Sequence, residues 1–196
     1  MASRSASACA WSSEAGEKSV AYRLRELERR DIPIINGWRA DRGLIACLGA
    51  PYRFINQEVD EAWFDAYMRS RQTCVRCAIV GEGDASEDQI LGLITLAGID
   101  HLRQSATLHI MIGSSKDRGK GMGTFAVLSM LRHAFYDLNL RRVELSVLAT
   151  NEAAIGLYEK CGFTREGTRR QACYKGGEFV DMYEYGILRG EESKLS

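Results

Sequence analysis

The stretch "DRGKGMGT", Asp117 to Thr124, sets glycines at 119, 121 and 123 behind an arginine. Before it lies an extended apolar run, "ATLHIMI" (106–112). After it, Phe125, Leu128, Leu131, Phe135 and Leu138 recur by three and four, the period of a helix. Glycines at such a strand-to-helix turn leave backbone N–H groups uncovered at the helix start, where the dipole favours anions. Arg118 and Lys120 add positive charge. The expected ligand carries a pyrophosphate.

Other readings of the loop fit less well. A nucleoside triphosphate loop needs G-x-x-x-x-G-K-[ST], whereas Lys120 stands between two glycines with no hydroxyl residue after it. A dinucleotide fingerprint needs G-x-G-x-x-G and an acidic residue about 20 positions on at a strand end. Here the spacing is G-x-G-x-G, and Glu144 falls mid-strand. A dinucleotide-dependent oxidoreductase is therefore a rival of lower rank. The plainest alternative is a glycine-rich turn with no ligand.

Working outward, "AYRLREL" (21–27) reads as a first strand. Asp31 followed by Pro33 marks a helix start. Asn56 is placed to cap a second helix, "QEVDEAWFDAYMRSRQ", whose expected buried stripe is Val59, Trp63 and Tyr67. "CVRCAIV", "ILGLITLAGI" and "ATLHIMI" are three strands, and "GEGDASEDQ" is a solvated turn. "RRVELSVLA" is a further strand, and "NEAAIGLYEKC" a short helix stopped by Gly162. "KGG" joins two closing strands as a hairpin. The order β, α, α, β, β, β, α, β, α, β, β predicts a mixed α/β (α+β) sheet with helices packed on it and no interdomain linker.

Composition narrows the partners. Lys plus Arg and Asp plus Glu are equal at 26 each, so any anion site is local, and neither nucleic acid nor a membrane is expected as a partner. No apolar run approaches the length of a membrane span. Residues 1–19, rich in Ser and Ala without a secretory apolar segment, read as a disordered tail or expression remnant, with a transit peptide as the minor alternative. Residues 20–190 read as one domain and 191–196 as a tail. "SKLS" resembles a peroxisomal address but ends one serine too late. The expected location is cytoplasmic. Six cysteines without a signal sequence read as free thiols. Cys74 and Cys77, three apart on a strand, face opposite ways, which disfavours a metal or redox pair. No metal is expected.

R-x-x-G-x-G at Arg118–Gly123, with "LHIMIG" before it and "NEAAIGLYEKCGF" (151–163) after it, resembles the acyl-CoA loop of the GNAT superfamily of N-acetyltransferases. The opening "LRELERRDIPIINGWR" and the ending "EGTRRQACYKGGEFVDMYEYGILRGE" are similar to its RimJ/RimL-like branch. The resemblance covers roughly residues 20–190. It implies the GNAT fold: a mostly antiparallel sheet of about seven strands, splayed between strands 4 and 5, flanked by about four helices. It also implies acetyl-CoA as co-substrate, with pantetheine lying in the splay between "LHIMI" and "VELSVLA".

By that resemblance Met111 and Ile112 supply backbone groups to pantetheine, and Arg118, Gly119, Lys120, Gly121, Met122, Gly123 and Thr124 form the pyrophosphate loop. Asn151 contacts the cofactor, although capping alone justifies an Asn there. Tyr158 is the general acid, although Ala154, Leu157, Tyr158 and Cys161 also form one packing face. Relatives carry an acid on the fourth strand where this chain has Thr107. His109, on the same face as Thr107 and Met111, is the candidate base, with a structural histidine or a water relay as alternatives. Trp38, Arg39, Asp41, Tyr52 and Phe54 are candidates for the acceptor pocket.

The expected reaction is transfer of an acetyl group to a primary amine by direct attack in a ternary complex. The acceptor is a protein N-terminus or a small-molecule amine such as a polyamine, amino sugar or antibiotic, and the enzyme a monomer or homodimer. The alternative is a non-catalytic acyl-CoA-binding module.

Overall fold

β-branched and apolar runs converge on one seven-stranded sheet in a computed structural model that describes residues 22–81 and 89–192. The expectations for residues 1–19, for most of the 81–89 turn and for the last residues lie outside the described residues.

Strand β1 (Tyr22–Glu26) leads through a 3-10 turn (Arg29–Asp31) into helices α1 (Ile32–Ala40), α2 (Arg42–Ala46) and α3 (Gln57–Arg69). Strands β2 (Cys74–Gly81), β3 (Ile90–Asp100) and β4 (Ser105–Ile112) follow. A second 3-10 turn (Ser115–Asp117) precedes α4 (Met122–Arg132), which runs into a π turn (His133–Asp137). Then come β5 (Arg142–Leu148), α5 (Glu152–Lys160), β6 (Thr164–Lys175) and β7 (Glu178–Leu188). Among the described residues no helix is long and apolar enough to cross a membrane.

The strand order is β1-β2-β3-β4-β5-β7-β6. Every neighbouring pair is antiparallel except β4 and β5, which run parallel and pair only at Ser105↔Arg142, Ala106↔Val143 and Thr107↔Glu144. Beyond Thr107 the two strands part, and one edge of β4 from Leu108 to Ile112 faces a gap. A parallel pair needs a crossover, here supplied by the glycine loop and α4.

The period-2 alternation of the strands divides the core in two. On one face Ile79, Ile94, Leu96, Leu108, Val143 and Leu145 pack under Met122, Ala126 and Met130 of α4, with Tyr158 of α5. On the other, Ala78, Val80 and Leu93 pack against Ile32 and Ile35 of α1 and Phe64 and Tyr67 of α3, with Trp38, Trp63 and Met111 at the rim. Cys74 belongs to this second face and Cys77 to the first, the opposite-facing disposition expected of their spacing.

Three local expectations shift. Asp31 stands at the N-cap of α1, as its place before Pro33 implied, but its carboxylate is drawn away from the helix amides to the Glu28 N–H and both Nη atoms of Arg25, inside the protein. In α3 the buried residues are Asp60, Phe64 and Tyr67, while Val59 is exposed. The stripe is rotated because a polar residue joins the core: Asp60 accepts from Asn36 and Arg39, so burial costs it little. Finally, α2 is a helix that no apolar period announced. Asp41 starts it by accepting from the Gly43 and Leu44 N–H groups.

Candidate active site

The glycine loop takes the conformation its composition requires. Gly119 and Gly121 have φ of +76° and +83°, with open space where a Cβ would stand. Gly121 is the N-cap of α4, and the first intrahelical bond is Phe125 N–H to Gly121 C=O. The Met122, Gly123 and Thr124 N–H groups therefore precede the helix's own hydrogen bonds, as a phosphate cradle requires. The Met122 side chain is buried in the core, so only its amide is available. Gly123 is close-packed under Leu157 of α5, 3.0 Å from where its Cβ would lie. Arg118 is exposed beside the loop, and Lys120 reaches Asp117 at 3.4 Å. These helix-start amides and the flanking cations are the residues that could hold a pyrophosphate.

The gap beyond Thr107 exposes one edge of β4. The register 91/113 is a hydrogen-bonded pair, since Gly113 N–H reaches Leu91 C=O. Counting back by two, Met111 and His109 also turn their backbone groups to β3. Ile110 and Ile112 turn theirs to the gap. The expectation of backbone contacts from Met111 is thus corrected: its parity engages it with β3, and Ile110 takes the place beside Ile112. Met111 instead presents its side chain to the α1/α3 face.

Trp38 closes this end of β4. A Cβ on Gly113 would lie 2.1 Å from the indole, so only glycine lets α1 lay its tryptophan on the strand end. Sequence reading missed that partnership because nothing local links positions 38 and 113.

Two candidate proton carriers lie on opposite faces of the sheet. His109, opposite Thr95 on β3, lies on the α1/α3 face. Its ring is open to solvent by area. Even so, desolvation by the surrounding wall, and then the Arg76 charge, lower its pKa below the ordinary 6.5. It is therefore neutral at pH 7 and able to accept a proton. Tyr158 lies buried on the α4/α5 face with its ring 5.8 Å from Phe163. Burial, then the neighbouring Cys161, push its pKa up to about 12. Its packing aspect is present: it is buried in the α4/α5 core against Phe163.

Asn151 caps α5 through Ala154 N–H and donates its amide to Cys47 C=O at 2.8 Å. It ties the end of α2 to the start of α5. Lys175 of the hairpin likewise donates to the Ile45 and Ala50 carbonyls, and Cys173 to Gly49 C=O. These grips on the 45–50 segment were not foreseen, because a hairpin lysine carries no local signal of its partner.

The acceptor-side candidates separate. Arg39 is held by Asp60 and stacks 4.8 Å from the Trp63 ring, and Asp41 is occupied as a cap. Tyr52 and Phe54 meet edge to face at 5.5 Å and line a cleft of about 560 Å³ together with Arg53 and Asn56. Arg42 lies 4.0 Å over the Tyr52 ring.

A parallel pair that splays beside a glycine-capped helix is the framework of an acyl-CoA-dependent transferase of amines. Comparison with known proteins agrees. The acetyltransferase (GNAT) domain family matches residues 22–164, and the chain belongs to that family as an acetyl-CoA-dependent N-acetyltransferase. It is 35% identical over 172 residues to the spermidine N(1)-acetyltransferase of Escherichia coli strain K12, covering 86% of this chain and 87% of that one. It is 27% identical over 169 residues to the spermidine N(1)-acetyltransferase of Vibrio cholerae, covering 86% and 93%. The crystal structure of a Vibrio cholerae spermidine N-acetyltransferase with CoA and spermine superposes with a TM-score of 0.79 at 26% identity, covering 88% and 98%.

Proposed function

We propose that this enzyme moves the acetyl group of acetyl-CoA onto a primary amine by direct attack in a ternary complex. The observation that carries this reading is the three-pair contact of β4 and β5 ending at Thr107, with the open amides of α4 at its mouth. The Met122–Thr124 amides and Arg118 would hold the pyrophosphate, and the Ile110 and Ile112 backbone the pantetheine arm. The amine nitrogen bonds to the thioester carbon, and its proton leaves to His109 directly or through water. The C–S bond breaks, and Tyr158 gives its proton to the departing thiolate.

Burial raises the Tyr158 hydroxyl to about 12, so at neutral pH it holds its proton and can act only as a donor.

Polyamines belong in the acceptor panel because the relatives' names include spermidine. So do amino sugars, aminoglycosides and N-terminal peptides. Release of free thiol from acetyl-CoA in the presence of one of these amines is the expected result. Tight acetyl-CoA binding with no thiol release across the panel would instead favour the non-catalytic binding module.

A further inference from the structure

The α1/α3 face, where the amine must arrive, has an uneven pattern of charge pairing. Several of its carboxylates are engaged. Asp60 is wholly buried between Asn36 and Arg39, Asp41 caps α2, and Glu184 accepts through Oε2 from Ser146 Oγ at 2.7 Å; its shielded Oε1 has Arg169 at 3.6 Å and no hydrogen-bond partner among the described residues. Its cations are less matched. Arg42 sits on the Tyr52 ring, Arg53 lines the same cleft, and neither meets a carboxylate among the described residues.

Arg76 is the most telling of these cations. Its Cα pairs with Thr95, and Thr95 with His109, so the three share one face in a row across β2, β3 and β4. At strand spacing, His109 and Arg76 have backbones about 10 Å apart, within the reach of an arginine side chain plus a small molecule. The guanidinium is stacked on aromatic rings, 4.0 Å from Trp63 and 5.1 Å from Tyr67. Its Nε and Nη1 are shielded from solvent with no acceptor meeting hydrogen-bond geometry among the described residues, and the side chain beside them is the weakly accepting Cys74 thiol. A shielded, unsatisfied charged donor is costly unless something completes it. The planar fork suits a carboxylate or phosphate oxygen pair.

We propose that the acceptor is an amine that also carries an acidic group, and that Arg76 receives that group while the amine reaches the gap beside His109. This inference rests on the transferase reading and narrows its substrate class. A bare polycation suits this face less well: Asp60 and Asp41 are engaged, Glu184 Oε1 is a single shielded oxygen with Arg169 beside it, and the aromatic pair Tyr52 and Phe54 already carries the protein's own Arg42.

The test compares acceptors matched except for charge. Glucosamine 6-phosphate against glucosamine probes phosphate, an α-amino acid against its amide probes carboxylate, and spermidine represents the polycation. Expected is a kcat/KM for one anionic member about tenfold to a hundredfold above its neutral partner. In Arg76→Gln that ratio should fall toward one, with Arg76→Lys between the two, as a charge without a fork predicts. The pair that shows the effect tells phosphate from carboxylate. Equal rates within both pairs, spermidine preferred, or ratios unchanged by either substitution would overturn the proposal. If no amine is acetylated, calorimetric binding of glucosamine 6-phosphate and the amino acid decides. Binding lost in Arg76→Gln and weakened in Arg76→Lys keeps the anion site while the transferase reading fails; binding unchanged in Arg76→Gln, or none to the parent protein, sinks the anion site as well.

Discussion

At the residue scale, His109 and Tyr158 should leave different marks on the kinetics. Tyr158→Phe keeps the ring that packs on Phe163 and removes the hydroxyl. Turnover should fall by about a hundredfold, with acetyl-CoA affinity little changed; a kcat equal to the parent's would remove Tyr158 as the proton donor. His109 accepts a proton only when neutral. Its pKa is lowered, first by desolvation and then by Arg76. In kcat at saturating acceptor, activity should rise with pH to a plateau, with the midpoint of that limb below 6.5. His109→Gln should abolish the limb. A limb that persists unchanged would assign the proton to a water relay.

At the scale of elements, the glycines do separate jobs that the motif alone runs together. Gly121 caps α4 at φ +83° with open space around it, so Gly121→Val adds both backbone strain and a side chain at the amides. Acetyl-CoA binding should weaken by more than about tenfold, and an unaltered dissociation constant would sink the loop assignment. Gly113 serves packing. Gly113→Ala collides with the Trp38 indole and should cost about 1–3 kcal/mol in urea unfolding. Unchanged stability would show that the indole yields without cost.

What could be read from sequence follows the same division. The loop, the α4 start, the Asn56 and Asn151 caps and the hairpin turn at Gly176 and Gly177 are local features, set by backbone conformations within a few residues. The phase of α3 was not legible, because it depends on Asp60 finding Arg39 twenty-one positions away. Nor was the choice of Ile110 over Met111, which needs the β3–β4 register. Arg76 is in the same class. In sequence it is one charge in "CVRCAIV", and only the fold, with Trp63 and Tyr67 packed over it, shows Nε and Nη1 left without a hydrogen-bond partner among the described residues.

Across the whole molecule, the two half-sheets meet at only three residue pairs, and buried tyrosines sit in both half-cores. Tyr67 belongs to the α1/α3 side, and Tyr158 and Tyr185 to the α4/α5 side. Desolvation is the largest cause that pushes each up to about 12 from 10.0, and burial lifts the Cys77 and Cys161 thiols to about 11 from 9.0. Each folded pKa is raised, so the folded state holds protons that the unfolded chain has already released. The linked stability is fully present below pH 9. It is lost as pH climbs, through the thiols to about 11 and the tyrosines to about 12, with at most about 1.4 kcal/mol per pH unit from each group. The melting temperature should therefore fall steadily between pH 9 and pH 12. Tyr185→Phe should flatten the upper part of that descent, above pH 10, and leave the part below it in place. A melting temperature that stays level from pH 10 to pH 12 would mean that these hydroxyls ionise in the folded protein as readily as in water.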